Sequence, residues 1–66
     1  MELKNRVREL RMQAGLTQEA LGAAVEVSRQ TINSIERYKY KPTIELALRL
    51  AQRLNCSVEN LFYFTE

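Results

Sequence analysis

Three side chains near the middle of the chain, Arg29, Gln30 and Asn33, are of the types that read the edges of base pairs. Arginine can give two hydrogen bonds to guanine O6 and N7, and glutamine or asparagine can pair in the same way with adenine N6 and N7. Ser34 adds a hydroxyl that can donate or accept. Positions three and four apart are neighbours on a helix surface, so a helix through this stretch presents the set together. Four basic residues, Arg29, Arg37, Lys39 and Lys41, follow one another closely against a single acid, Glu36. That segment carries a net charge of +3, while the whole chain carries only +2. A local basic surface is what a phosphate backbone selects, although an ordinary solvated face has the same composition.

Other chemistries have little to work with. The chain has no histidine, and Cys56 is its only cysteine. It can therefore form neither an internal disulfide nor a zinc site of about four nitrogen or sulfur ligands. There is no glycine-rich phosphate loop and no cluster of carboxylates. Cys56 precedes a helix start at Ser57, a placement that can depress a thiol pKa. It has no histidine partner to act as base, and a buried structural thiol is the simpler reading. The expectation is a non-enzyme with no catalytic residue, metal, cofactor or small-molecule effector site.

The elements that would position the polar cluster follow from periodicity and caps. The 66 residues allow one domain, spanning 1–66. A chain this short buries only about 60% of the surface its unfolded form exposes, so it gains from any added burial. Leu3, Val7, Leu10 and Ala14 fall on one face and predict helix 1 over about Lys4 to Ala14, ended by Gly15. Thr17 can cap helix 2, whose apolar face is Leu21, Ala24 and Val25. Ser28 can cap helix 3, which buries Ile32 and Ile35 and leaves its polar side outward. A helix so short cannot stand alone and must dock on its neighbours. Pro42 closes the basic loop, Thr43 can cap helix 4 over about Ile44 to Leu54, and Asn55 can take the left-handed conformation at its end. Helix 5 begins at Ser57 and carries Val58, Leu61 and Phe62. The tail Tyr63-Phe64-Thr65-Glu66 is aromatic and β-prone where a free terminus is usually polar, so it looks built to be covered. The expected class is all-α, with five helices.

The order Leu16-Thr17-Gln18-Glu19-Ala20-Leu21, Val25-Glu26-Val27-Ser28 and Arg29-Gln30-Thr31-Ile32-Asn33-Ser34-Ile35-Glu36 resembles the helix-turn-helix of phage repressor/Cro proteins, the XRE-type regulators. The likeness continues through Lys39–Pro42 and Leu46-Ala47 and covers almost the whole chain. It implies a lambda-repressor-like domain in which helices 2 and 3 form the motif and helix 3, about 28–36, enters the major groove. It implies base contact by Arg29 and Gln30, with Asn33 and Ser34 one turn on. It places Gln18 at a phosphate and as a brace for the recognition helix, and counts the cap Ser28 with the DNA-contacting set. Thr31, Arg37, Lys39 and Lys41 are the remaining phosphate candidates, which position without reading sequence. Tyr38 and Tyr40 can either bond phosphates or pack over helix 4. Arg11 and Glu36 occupy the positions of an internal ion pair between helix 1 and the end of helix 3. Three departures stand out: Glu26 in place of a turn glycine, Gly22 in place of alanine, and Arg37-Tyr38 in place of Asn-Gly.

The implied function is sequence-specific binding of double-stranded DNA as a transcriptional regulator, a repressor in its commonest form, at a near-palindromic operator. The expected working unit is a homodimer, with residues 61–66 as a candidate dimerisation tail. The interface would pack helix 5 against its mate with the tail draped across it, or pair the two tails as a ribbon. An antitoxin-like protein-interaction module on the same fold is the alternative, although no toxin-binding extension is present. No apolar run approaches the ~20 residues of a membrane span, and the N-terminus runs straight into charged sequence without an apolar leader. A cytoplasmic location is expected, and a lone cysteine suits that reducing compartment.

Overall fold

The computed structural model describes every residue from Met1 to Glu66. In chain order it runs β1 (Glu2–Asn5), α1 (Val7–Gln13), α2 (Gln18–Ala24), α3 (Arg29–Glu36), α4 (Ile44–Arg53), α5 (Val58–Leu61) and β2 (Phe62–Thr65). Five helices are present, as expected, and the last four begin at the predicted caps. The all-α expectation is corrected by the two strands. They form one antiparallel sheet with Glu2 opposite Thr65, Leu3 opposite Phe64, Lys4 opposite Tyr63 and Asn5 opposite Phe62.

The first helix is accordingly shorter than its apolar stripe suggests. Leu3 and Lys4 lie in β1, and the helix begins only at Val7. Asn5 makes the break. Its Oδ1 accepts a hydrogen bond from the Val7 amide at 3.1 Å, while its Nδ2 donates to the Ile35 carbonyl at 2.9 Å. One side chain thus starts α1 and ties the sheet to α3. The Arg6 amide continues the link between the two ends of the chain by donating to the Leu61 carbonyl at 2.9 Å. The aromatic tail is paired along its backbone with the N-terminus of its own chain, while the Phe64 side chain stays exposed.

The remaining four helices open alike. Thr17, Ser28, Thr43 and Ser57 are extended at the N-cap, and each hydroxyl accepts from the amide three residues on, Ala20, Thr31, Leu46 and Asn60, at 3.0–3.2 Å. Each cap satisfies one of the amides that a helix start leaves without a partner. Helices α1 to α4 also close alike. Gly15, Glu26, Tyr38 and Asn55 sit at φ of 72°, 65°, 62° and 59°. The next amide turns back onto the preceding helix in every case: Leu16 to Arg11, Val27 to Gly22, Lys39 to Ser34 and Cys56 to Ala51, all at 2.9–3.0 Å. This is the Schellman closure.

The core is a single cluster drawn from every helix. Val7, Leu21, Ile32, Ile35, Leu50 and Leu61 are fully buried and Val25 nearly so, with Leu46, Ala51 and Leu54 completing it. Leu10, Leu16, Val27, Cys56, Val58 and Phe62 pack against its margin. Gly22 lets α2 approach the turn. A Cβ there would stand 2.6 Å from the Val27 carbonyl oxygen. No helix is long and apolar enough to cross a membrane.

Candidate nucleic-acid interface

Helix α3 buries Ile32 and Ile35 completely, and this fixes its roll. Arg29, Gln30, Asn33 and Ser34 are left on the outer side. Together with Gln18 from the start of α2 they line a cleft of about 380 Å³ that contains no hydrophobic residue. The structure therefore brings together the whole set of base-reading types and Gln18. Gln30, Thr31 and Ser34 form, with Tyr40, the wall of a smaller cleft of about 230 Å³ on the adjoining side of α3. Tyr40 therefore stands beside α3. The Lys4 ammonium lies 5.7 Å from the Tyr38 ring centroid.

The other predicted residues take more varied places. Ser28 spends its hydroxyl on the Thr31 amide and lies 3.1 Å from the Thr31 hydroxyl, so its first role is to start α3. Arg37 is exposed at the C-cap of α3, and Lys39 and Lys41 are exposed in the loop that follows. The loop has a left-handed residue at Tyr38 although no glycine is there. Glu26 does the same in the α2–α3 turn.

An inner network holds this surface. Arg11 Nε donates to Glu36 Oε2 at 2.7 Å, its second guanidinium nitrogen reaches Glu36 Oε1 at 3.3 Å, and its third donates to the Leu16 carbonyl at 2.7 Å. Gln18 Nε2 donates to Glu36 Oε1 at 3.0 Å. Both charged side chains are largely buried, with 12% of Arg11 and 3% of Glu36 exposed. The glutamine that lines the polar cleft is thereby also the brace that joins α2 to the end of α3.

One residue near this surface has no part in the sequence reading of the interface. Arg8 lines a third cleft, of about 320 Å³, with Arg11, Gln18, Asn33, Glu36 and Arg37. The available signal was its spacing: Arg8 precedes Arg11 by three residues and so shares its side of α1. Cys56 lies at the margin of the core, and burial pushes its thiol pKa up, against the lowering that a helix start could give. No group of three or more His, Cys, Asp or Glu side chains converges on a common point.

The comparisons agree with this geometry. A family model described as helix-turn-helix matches residues 7–61. An uncharacterized HTH-type transcriptional regulator of Bacillus subtilis (strain 168) is 41% identical over 64 residues, 97% of each chain. The P22 c2 repressor, solved in complex with a synthetic operator, superposes with a TM-score of 0.80 at 37% identity, over 82% of each chain. The restriction-modification controller protein C.AhdI from Aeromonas hydrophila superposes with a TM-score of 0.77 at 31% identity, over 83% of each chain. With its motif, its fold and relatives of matching length in agreement, the chain belongs to the Cro/C1-type helix-turn-helix family of DNA-binding transcriptional regulators.

Proposed function

We propose that this regulator is a sequence-specific repressor that inserts α3 into the major groove of double-stranded DNA. The observation that carries the reading is the wholly polar cleft at the seam of α2 and α3, lined by Gln18, Arg29, Gln30, Asn33 and Ser34. In this reading Arg29 and Gln30 meet base edges at the N-terminal end of α3, and Asn33 and Ser34 follow one turn later. Gln18, Ser28, Thr31, Arg37, Lys39 and Lys41 meet the phosphate backbone and set the register. The likeness to a repressor solved on its operator supports this assignment. The working unit is a two-fold dimer, which sets two recognition helices about 34 Å apart and calls for a near-palindromic site.

Selection of bound duplexes from random DNA by the full chain tests the reading. A near-palindromic consensus is expected. Arg29→Ala or Gln30→Ala then costs about 1–3 kcal/mol on that consensus and relaxes the preference at one base pair in each half-site. A folded Arg29→Ala protein that binds the consensus as tightly as wild type removes α3 as the reader.

A further inference from the structure

Two basic side chains share a cleft with no acid left to balance them. The cleft between α1 and the end of α3 is lined by three arginines, Arg8, Arg11 and Arg37, and by one carboxylate, Glu36. Glu36 is already occupied: Arg11 pairs with it at 2.7 Å, and Gln18 takes its other oxygen at 3.0 Å. The other ion pairs in the chain involve Arg49, Glu26 and Glu45, so neither Arg8 nor Arg37 has a carboxylate partner. Two like charges at one cleft repel, and an anion between them converts that repulsion into attraction. Gln18 and Asn33 line this cleft and the base-reading cleft alike, so the two adjoin.

We infer that Arg8 and Arg37 form a phosphodiester-binding subsite, in which α1 grips the DNA backbone beside the bases that α3 reads. The inference rests on the reading of α3 as recognition helix and adds a residue and an element to it. Guanidinium groups suit this ligand, because their planar fork can give two parallel hydrogen bonds to phosphate oxygens. Arg11 is placed differently, because its charge is paired with Glu36 and three of its five N–H donors go to Glu36 and the Leu16 carbonyl. Its part is to fix α1 against α3, and so to hold Arg8 opposite Arg37.

The test is binding of the full chain to its selected duplex across a salt series, for wild type, Arg8→Ala, Arg8→Lys and Arg53→Ala. Arg53 is an exposed residue near the end of α4 and lines none of the three clefts described. Arg8→Ala is expected to lower the slope of log affinity against log salt by about one unit for each half-site bound. The same slope makes its binding about eightfold weaker per half-site at ~0.1 M salt and equal to wild type near ~1 M. Arg8→Lys should keep the slope, Arg53→Ala should change nothing, and base preference should be the same in all four. A scan with single neutral methylphosphonates should find one phosphate in each half-site whose neutralisation weakens wild type but not Arg8→Ala. Arg8 is exposed and outside every ion pair, so thermal unfolding of the variant should match wild type. A wild-type slope in Arg8→Ala, with no such phosphate in the scan, overturns the subsite alone. A wild type that selects no duplex overturns the reading of α3 and the subsite with it.

Discussion

Arg11 Nε lies 2.7 Å from Glu36 Oε2, a contact that fastens α1 to the last residue of α3 where water has little access. Taking two charges out of water is costly, so the pair contributes little net stability while it is complete. Breaking it is a different matter, because the partner that remains is a lone buried charge. Glu36→Leu or Arg11→Met alone is expected to cost about 3–5 kcal/mol. A chain of this length has a total stability of only about 3–10 kcal/mol, so either single variant should be marginal. The double variant should recover most of the loss. Urea unfolding of the four proteins checks this, and a coupling energy of zero would count against the ion pair as the anchor of α3.

Gly22 and Glu26 reverse the usual expectations for glycine. Helix propensity says that Gly22→Ala should stabilise α2 by about 0.5–1 kcal/mol. The structure says the opposite, because the new Cβ would meet the Val27 carbonyl oxygen at 2.6 Å and the backbone of the turn would have to move. Overpacking of this kind costs about 1–3 kcal/mol, so a net loss is expected. Thermal unfolding decides between the two; a raised midpoint would show that the turn gives way freely.

Glu26→Gly should act in the other direction. A side chain at φ 65° carries a penalty of roughly 1–2 kcal/mol that glycine avoids. Glycine's greater freedom in the unfolded chain returns part of it, which leaves a gain of about 0.5–1 kcal/mol. The loss of the exposed contact between Glu26 and Arg49, at 3.8 Å, subtracts little. The same denaturation measurement applies, with stabilisation as the expected sign.

These cases show what local sequence can and cannot carry. Thr17, Ser28, Thr43 and Ser57 were legible as helix starts because a hydroxyl three residues before a free amide is a local device. Gly15 and Asn55 were legible as ends because their types favour φ > 0. Glu26 and Tyr38 do not advertise that conformation, and only the resemblance drew attention to their positions. Strand β1 was hidden for another reason. Leu3 continues the helical spacing of Val7 and Leu10, and its actual partner, Phe64, lies at the other end of the chain. Periodicity reports neighbours along the sequence and is silent about such a pairing. For the candidate site, residue type was enough to collect Arg29, Gln30, Asn33 and Ser34. Arg8 escaped because most of its surroundings, Gln18, Asn33, Glu36 and Arg37, come from outside α1.

Cys56 gives a pH dependence whose sign is fixed. Burial raises its folded pKa above the unfolded value of about 8.5. The neutral thiol is therefore favoured by folding. Its contribution is fully present below the unfolded pKa and is lost as pH rises past that value toward the raised folded one. Wild type should lose more stability than Cys56→Ala as pH rises above the ordinary thiol pKa of about 8.5. The same burial should make the folded thiol slower than the unfolded one toward an alkylating reagent at neutral pH. Equal alkaline sensitivity in the two proteins would remove the burial effect.

The proposed dimer must use what the fold leaves open. The tail already pairs with β1, so a ribbon of two tails cannot replace that sheet and could only extend it from the free edge of β2. Packing of α5 on its mate is also restricted, because this helix has only four residues and buries Leu61 in its own core. Ile44 and Leu48 on α4 and Phe64 on β2 are among the large apolar residues still free in the C-terminal half, 80%, 56% and 66% exposed. Deleting residues 61–66 would be a poor test, since it removes the core residue Leu61 and leaves β1 without a partner. Leu48→Glu and Phe64→Glu are better, since both side chains lie largely outside the core. If the two-fold unit uses these residues, one or both changes should weaken self-association by at least tenfold, about 1.4 kcal/mol, while leaving the thermal midpoint of the dilute protein unchanged. Sedimentation of wild type and both variants, with and without the selected duplex, reads this directly. A wild type that stays monomeric at tens of micromolar and binds the duplex as a single copy would rule out the dimer. The recognition helix would then be reading one half-site alone, and the selected sequence should lose its symmetry with it.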